Sequence, residues 1–273
     1  MSRKLILTVQ YLFLTAASLA ILYPILYTFS SALMTPAEAR TFPTPLLPMS
    51  FYLGNFLEVL HSVPIMRFMG NSLAVSVIIT AGHLVLASMA AYAFANVRFA
   101  GKAFWFALFL STMMIPWEVT IIPNYLTIKS WGWLDSYEGL TIPFLATAFG
   151  TFLLRQFFLQ LPKELYEAAR MDGCGHLRTF LRIVLPLSRP ALATLAVYSF
   201  LNAWNMYLWP LLVTNSPDMR TVQIGISMLQ TEEQTSWNLV LAGVAWILLP
   251  SLLLLLVGLK QLVRGMTAGA LKG

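Results

Sequence analysis

An apolar run from Leu5 to about Leu33, relieved only by Gln10, Pro24 and small hydroxyl residues, is the feature that most limits this chain. About 20 residues cross the hydrocarbon of a bilayer, and this run is longer. A secretory signal peptide also starts basic and turns apolar, as the chain does after Arg3 and Lys4, but its apolar part covers only about 7–15 residues. The run reads as a membrane helix near residues 9–31. Composition agrees: 58% of the 273 residues are hydrophobic and 10% are charged, whereas a soluble domain carries about 25% charged residues.

Five more apolar runs follow, near 71–94, 103–122, 140–160, 190–213 and 237–259. The expectation is one all-α integral membrane domain over 1–273 with six transmembrane helices. Between the first two runs, Pro43, Pro45 and Pro48 exclude a helix interior, while Phe51 to Met69 has room for short interfacial helices. In the second run Ser72/Ser76 and Ala87/Ala91/Ala95 recur every four residues, which lets another helix approach closely. The loop 123–139 carries Trp131, Trp133, Asp135, Tyr137 and Glu138, a mixture typical of a membrane interface.

Charge fixes an orientation. The net charge is +6, yet the basic residues form no stripe of the kind nucleic acid needs; they sort by side. With an inner N-terminus and six spans, only Arg40, Arg67, Lys129 and Arg220 of the 17 Lys and Arg fall outside. Of the 11 acidic residues, only Glu164, Glu167 and Asp172 fall inside. Basic residues resist translocation, so both termini are expected to be cytoplasmic.

Catalytic motifs are missing from the sequence. Gly101-Lys102-Ala103 lacks the leading glycine and the hydroxyl residue of a phosphate-binding loop. The single Cys174 excludes an intrachain disulfide, and His61, His83 and His176 have no metal-ligand spacing. Of the ionisable groups that a self-powered carrier keeps in mid-membrane, only Glu118 comes near, beside Pro116 and towards the outer end of its span.

The polar segment 161–187 stands apart from all this. Pro162 is suited to the first turn of a helix. Glu164 and Glu167 follow where carboxylates favour the positive helix end, and Gly173 can take the left-handed geometry that ends a helix. A second short helix is expected from His176 to Val184, before Pro186. Ala168 and Ala169 are expected to leave one face flat between carboxylates, fit for a groove lined with arginines; a solvated hairpin is the bland alternative.

Glu167-Ala168-Ala169, three residues, Gly173, nine residues, Ile183, one residue, Leu185-Pro186 resembles the EAA motif of binding-protein-dependent ABC importer permeases, with every fixed position filled. The segments at 152–158, 204–211 and 263–273 are similar to the carbohydrate-uptake branch, the maltose-type second permeases and the sn-glycerol-3-phosphate permeases. That resemblance implies the type I importer permease fold with six spans, in a bacterial or archaeal cytoplasmic membrane. It also implies partners: a second homologous permease, two copies of an ABC ATPase that carry ATP and magnesium, an extracytoplasmic solute-binding protein, and membrane lipid. This chain would hold no cofactor and would not be an enzyme. Glu164, Glu167, Ala168, Ala169, Asp172 and Gly173 would couple to the ATPase, with Glu167 as its acidic contact. The binding protein would dock on 34–69, 123–139 and 214–236.

Aromatic rings stack on sugar faces and amides bond hydroxyls, so Asn202, Trp204, Asn205 and Tyr207 are candidates for the solute path, with Glu118 and Asn124. Interface anchoring and helix bridging are the structural alternatives for the same residues. The implied function is ATP-driven import of a sugar, oligosaccharide or glycerol-phosphate-type solute. A self-sufficient carrier or channel, or a membrane subunit without a pathway of its own, are the other classes left open.

Overall fold

Prolines act unequally on the apolar runs: Pro116 sets a boundary, while Pro24, Pro123 and Pro250 lie inside helices. The structure, a computed structural model, describes residues 3–230 and 236–267. Part of the 214–236 loop and the basic end of the chain around Lys272 lie outside the described residues. The described chain is helical: α1 (Arg3–Ala32), α2 (Pro36–Ala39), α3 (Gly54–Ser62), α4 (Ile65–Gly82), α5 (Ser88–Asn96), α6 (Lys102–Ser111), α7 (Trp117–Ser130), α8 (Tyr137–Thr141), α9 (Ala148–Phe158), α10 (Lys163–Met171), α11 (His176–Thr179), α12 (Leu185–Leu187), α13 (Arg189–Trp204), α14 (Leu208–Val213), α15 (Val222–Met228) and α16 (Trp237–Thr267). Three straight helices are long and apolar enough to cross a membrane, Lys4–Ala32, Ile65–Asn96 and Trp237–Leu256, and three bent pairs bring the count to six.

The bends correct the straight spans expected from hydropathy. The third run is two helices, Lys102–Met114 and Trp117–Ser130, crossing at 95°. Pro116 drives Ile115 into an extended conformation, because a residue before proline is sterically kept out of the helical region. In consequence α7 continues to Ser130, through residues expected to be loop. The fourth run bends by 46° between Tyr137–Phe144 and Ala148–Phe158. The fifth ends its first helix at Trp204 and resumes only at Leu208.

Packing divides the chain into two units, Met1–Arg67 with Ile224–Leu249 and Phe68–Gln223 with Pro250–Gly273. In the first, the end of α1 is capped from outside its own helix. Asn55 Nδ2 donates to the carbonyls of Ala32 and Met34 (2.8 and 2.7 Å), and Asn238 Nδ2 donates to Asn55 Oδ1 at 2.8 Å. Both amides are buried. This satisfies carbonyls that a helix end leaves open. Before α2, Thr35 and Glu38 form a capping box, and Glu38 Oε1 also accepts from the Met49 amide at 3.1 Å. These donors, the Thr35 amide first, hold the Glu38 carboxyl below its ordinary value. Over Lys4–Leu26 α1 is mostly exposed, Phe13 and Ile21 among the barest side chains, while its last residues, Ser31 and Ala32, are buried.

The second unit is organised on the rod Ile65–Asn96, about 48 Å long at 1.5 Å per residue. One core cluster gathers Val75, Ile79, Ile121, Ile128, Leu140, Ala203, Trp209 and Val213. The other gathers Ala87, Ala91, Tyr92, Leu154, Phe158, Phe180, Val184, Ala191 and Leu195. The four-residue spacing of small side chains has the expected use: Ser72, Ser76, Ala87 and Ala91 are all buried, and α5 packs on α9.

The two ends of the rod differ in chemistry. At its start Asn71 Nδ2 donates to the Asp218 and Arg220 carbonyls (2.8 and 2.9 Å), and Tyr137 Oη donates to Asn71 Oδ1 at 2.8 Å. Asp135 Oδ1 accepts from the amides of Asn215 and Ser216, both at 2.7 Å. At the other end basic groups cap α5. Lys102 Nζ donates to the Ala95 and Val97 carbonyls at 3.0 Å, and Arg155 Nε donates to the Phe94 carbonyl at 3.1 Å. Cations are favoured at a helix C-terminus by the dipole, and the Arg155 guanidinium also lies 4.1 Å from the centre of the Phe106 ring.

Candidate functional site

Segment 161–187 folds as helix, turn and helix, as its punctuation predicts. Pro162 caps α10 from the position before its first turn. At the other end the Gly173 amide bonds the Arg170 carbonyl (3.0 Å) and the Cys174 amide bonds the Ala169 carbonyl (2.8 Å). With Gly173 at φ 72°, this is the Schellman arrangement, which needs a left-handed residue. The second helix departs from expectation. It runs from His176 to Leu187, past Pro186, by widening into a π turn over Phe180–Val184. That wider turn absorbs the amide that Pro186 lacks.

Exposure sorts α10 into two faces. Glu164, Glu167, Ala168 and Met171 are exposed, and their spacing of 0, 3, 4 and 7 makes one stripe along a helix. Ala169 is buried and Tyr166 half-buried on the opposite side. The expectation that Ala168 and Ala169 share one flat face is therefore corrected: adjacent helical residues point about 100° apart, so one alanine docks the helix and the other stays outside. Exposed Leu177 and Leu181 add apolar surface on the second helix. Asp172 is exposed at the turn.

Behind the stripe is a cleft of about 620 Å³ whose lining includes Asn96, Arg98, Lys163, Tyr166, Glu167 and Arg170. Glu167 therefore stands on a helix edge between a basic cleft and open surface. Burial pushes the Tyr166 phenol up from its ordinary value, so it stays a neutral hydrogen-bond donor, to the Phe158 carbonyl at 3.3 Å. This bond ties α10 to the end of α9.

A second cavity, about 710 Å³, opens where the fourth and fifth runs are broken. Asn202, Asn205 and Tyr207 line it, together with His83, Trp117, Phe144, Thr147, Ser199 and Trp209. All three predicted residues are exposed. Asn202 and Asn205 each donate Nδ2 to a carbonyl of their own helix, Tyr198 at 2.8 Å and Leu201 at 2.7 Å, while the break at Asn205–Tyr207 exposes the Tyr207 side chain. Trp117, Phe144 and Trp209 form an aromatic wall, with ring centres 4.8, 5.7 and 5.8 Å apart. Trp209 Nε1 donates to the Gly139 carbonyl at 3.0 Å, which fixes its ring. No Asp, Glu, Lys or Arg occurs among the described lining residues.

Three predicted path residues are not part of this wall. Trp204 is buried and stacks on Phe200, ring centres 5.7 Å apart. Glu118 is exposed in the first turn of α7 and Asn124 is half-buried further along it; neither lines the cavity. In the other direction, sequence reasoning passed over His83 and Ser199. The available signal was an imidazole within a long apolar helix, since ionisable groups in a membrane span are rarely idle.

Comparison with known proteins gives a coherent set. The family described as binding-protein-dependent transport system inner membrane component matches residues 83–267. The sn-glycerol-3-phosphate transport system permease protein UgpE of Brucella suis biovar 1 (strain 1330) is 36% identical over 267 residues, covering 94% of this chain and 95% of that protein. The protein of the same description from Yersinia pestis bv. Antiqua (strain Antiqua) is 39% identical over 256 residues, covering 91% of each. Among solved structures, a chain of a bacterial ABC transporter involved in the import of the acidic polysaccharide alginate superposes with a TM-score of 0.84 and 25% identity, over 95% of this chain and 98% of that one.

Proposed function

The chain belongs to the family of binding-protein-dependent transport system inner membrane components, and from that premise we propose how its two built regions divide the work. It is a permease subunit of an ABC importer for a carbohydrate-type solute, set in the inner membrane. It is not an enzyme; ATP hydrolysis resides on a separate chain. A permease of this kind works with a partner permease, an ATPase and a solute-binding protein.

In our reading two copies of the ATPase, holding ATP and magnesium, serve this chain and a second homologous permease. One copy receives α10, with Glu167 as the central acidic contact, Glu164 and Asp172 beside it, and Ala168 and Met171 packing into its groove. Ala169 and Gly173 hold the helix in that posture. Closure of the ATPases moves the paired helices and turns the charge-free cavity from one side of the membrane to the other. Both termini are cytoplasmic, and the loaded binding protein meets 34–69, 123–139 and 214–236. The likeness to sn-glycerol-3-phosphate transport system permeases favours sn-glycerol 3-phosphate as solute, with sugars and oligosaccharides as the wider class. No Lys or Arg is among the described lining residues, and in this reading a cation for a phosphate comes from the partner permease.

The observation that carries the coupling role is the exposed acidic stripe held on a fixed helix–turn–helix. Glu167→Lys should lower the ATPase retained on membranes by at least about tenfold, a loss of about 1.4 kcal/mol, while the permease stays inserted. Quantitative immunoblotting of washed membranes reads this directly. Unchanged retention with normal uptake would remove the docking role. Uptake by this chain alone, driven by an ion gradient, would restore the carrier reading.

A further inference from the structure

His83 opens a π turn, His83–Ala87, in the middle of the Ile65–Asn96 rod. Its ring reaches two other segments of the cavity wall at once. Nε2 lies 2.6 Å from the Phe144 carbonyl and Nδ1 lies 2.7 Å from Ser199 Oγ. A carbonyl can only accept, so Nε2 carries the proton; in the neutral ring Nδ1 then accepts from the Ser199 hydroxyl.

The Phe144 carbonyl needs this donor. Phe144 ends the turn Ile142–Phe144, and the helix resumes at Ala148 after the bend. In a continuous helix the Ala148 amide would bond that carbonyl, and inside hydrocarbon a broken helix must find a substitute. The His83 ring is the substitute. Fixing Phe144 also fixes its ring against Trp117 and Trp209, and fixing Ser199 holds the α13 turn just before Asn202. His83, Phe144 and Ser199 all line the cavity.

We propose that His83 is a positioning residue for solute passage: by holding the Phe144 carbonyl and the Ser199 hydroxyl together, it sets the aromatic and amide wall against which the solute moves. The proposal rests on the reading of the cavity as the solute path.

The test uses the complete assembly, this chain with its partner permease, ATPase and binding protein. A cysteine replacing the buried Ala203 of the wall, in a Cys174→Ser background, reports wall opening by its rate of reaction with a trimethylammonium-ethyl methanethiosulfonate. His83→Leu should raise that rate about tenfold, the effect of losing one membrane-buried hydrogen bond. His83→Gln, whose amide nitrogen stands where Nε2 stood, should stay within about threefold of the parent. ATP-dependent uptake of radiolabelled sn-glycerol 3-phosphate by vesicles should show the same order: KM raised about tenfold in His83→Leu and restored in His83→Gln, with the ATPase retained on the membranes of both variants.

Parent-like labelling in His83→Leu overturns the proposal. So does a His83→Gln variant as impaired as His83→Leu, or loss of the ATPase from His83→Leu membranes, which would make the role one of general folding. If the parent assembly takes up no sn-glycerol 3-phosphate, the solute reading above fails, and the labelling rates alone decide the role of His83.

Discussion

Asn202 gives half of its amide to its own helix and keeps the other half for the cavity. Nδ2 donates to the Tyr198 carbonyl at 2.8 Å, and among the described residues Oδ1 has no hydrogen-bond partner. An acceptor in a charge-free wall suits a solute hydroxyl and opposes a phosphate oxygen. Asn202→Leu should therefore raise the KM for uptake about tenfold with little change in maximal rate, because one neutral hydrogen bond is worth about 1 kcal/mol and its loss leaves a polar group unpaired. Asn202→Gln keeps a neutral amide with both acceptor and donor and should leave the KM within about threefold. Transport kinetics in vesicles decide between them; a parent-like KM in Asn202→Leu would remove Asn202 from the path. Trp204, two positions on, shows the limit of residue type as a guide. Both residues looked equally suited to a sugar in the sequence, yet only one faces the cavity. A helix turns about 100° per residue, so the neighbour of an exposed side chain is frequently buried.

At the scale of an element, the α10–turn–α11 segment is the part most fully legible beforehand. Its stop depends on one backbone geometry at Gly173, φ 72°, where no neighbouring atom would meet an added Cβ. A substitution there is penalised by conformation and not by crowding. Gly173→Val should cost about 1–2 kcal/mol at the turn and lower ATPase retention, since a branched L-residue resists the left-handed region. Gly173→Asn should be close to the parent, because asparagine enters that region readily. Membrane retention of the ATPase in the two variants measures the difference, and equal losses would show that the turn geometry is not what matters. The broken helices were half legible. Pro116 announces an interruption of its run, but a proline states only that a helix is disturbed, and the fourth run was expected to be unbroken. The 95° and 46° angles come from what the two halves then pack against. The π turn that carries the second helix past Pro186 had no local signal at all.

At the scale of the whole molecule, the second unit has two chemically different ends. Asn71, Tyr137, Asp135 and the 215–220 segment gather at one end of the rod, and Lys102, Arg155 and the α10 segment gather at the other. Charge counting assigned these groups to opposite sides of a membrane, and the fold brings each set together. In a Cys174→Ser chain, a cysteine at exposed Ser130 should react with an impermeant maleimide on intact cells. One at exposed Ala100 should react only after permeabilisation. The reverse pattern would invert the proposed orientation. The exposed apolar side chains of α1, Phe13 and Ile21 among them, belong to this scale too, since lipid accommodates such a surface.

The sequence by itself determined that this is a helical membrane protein and that the 161–187 segment folds as helix–turn–helix, and its basic residues set the expected orientation. Those properties follow from local quantities: the length of an apolar run against bilayer thickness, the conformational limits of glycine and proline, and the cost of moving a cation across hydrocarbon. Only the tertiary structure decided that Asn202, Asn205 and Tyr207 share a cavity while Trp204, Glu118 and Asn124 do not. It alone also showed that His83 completes the wall. Those facts depend on the angle at each break and on which carbonyl the break leaves open. Both are settled by packing among segments distant in the chain, and no stretch of sequence read alone records them.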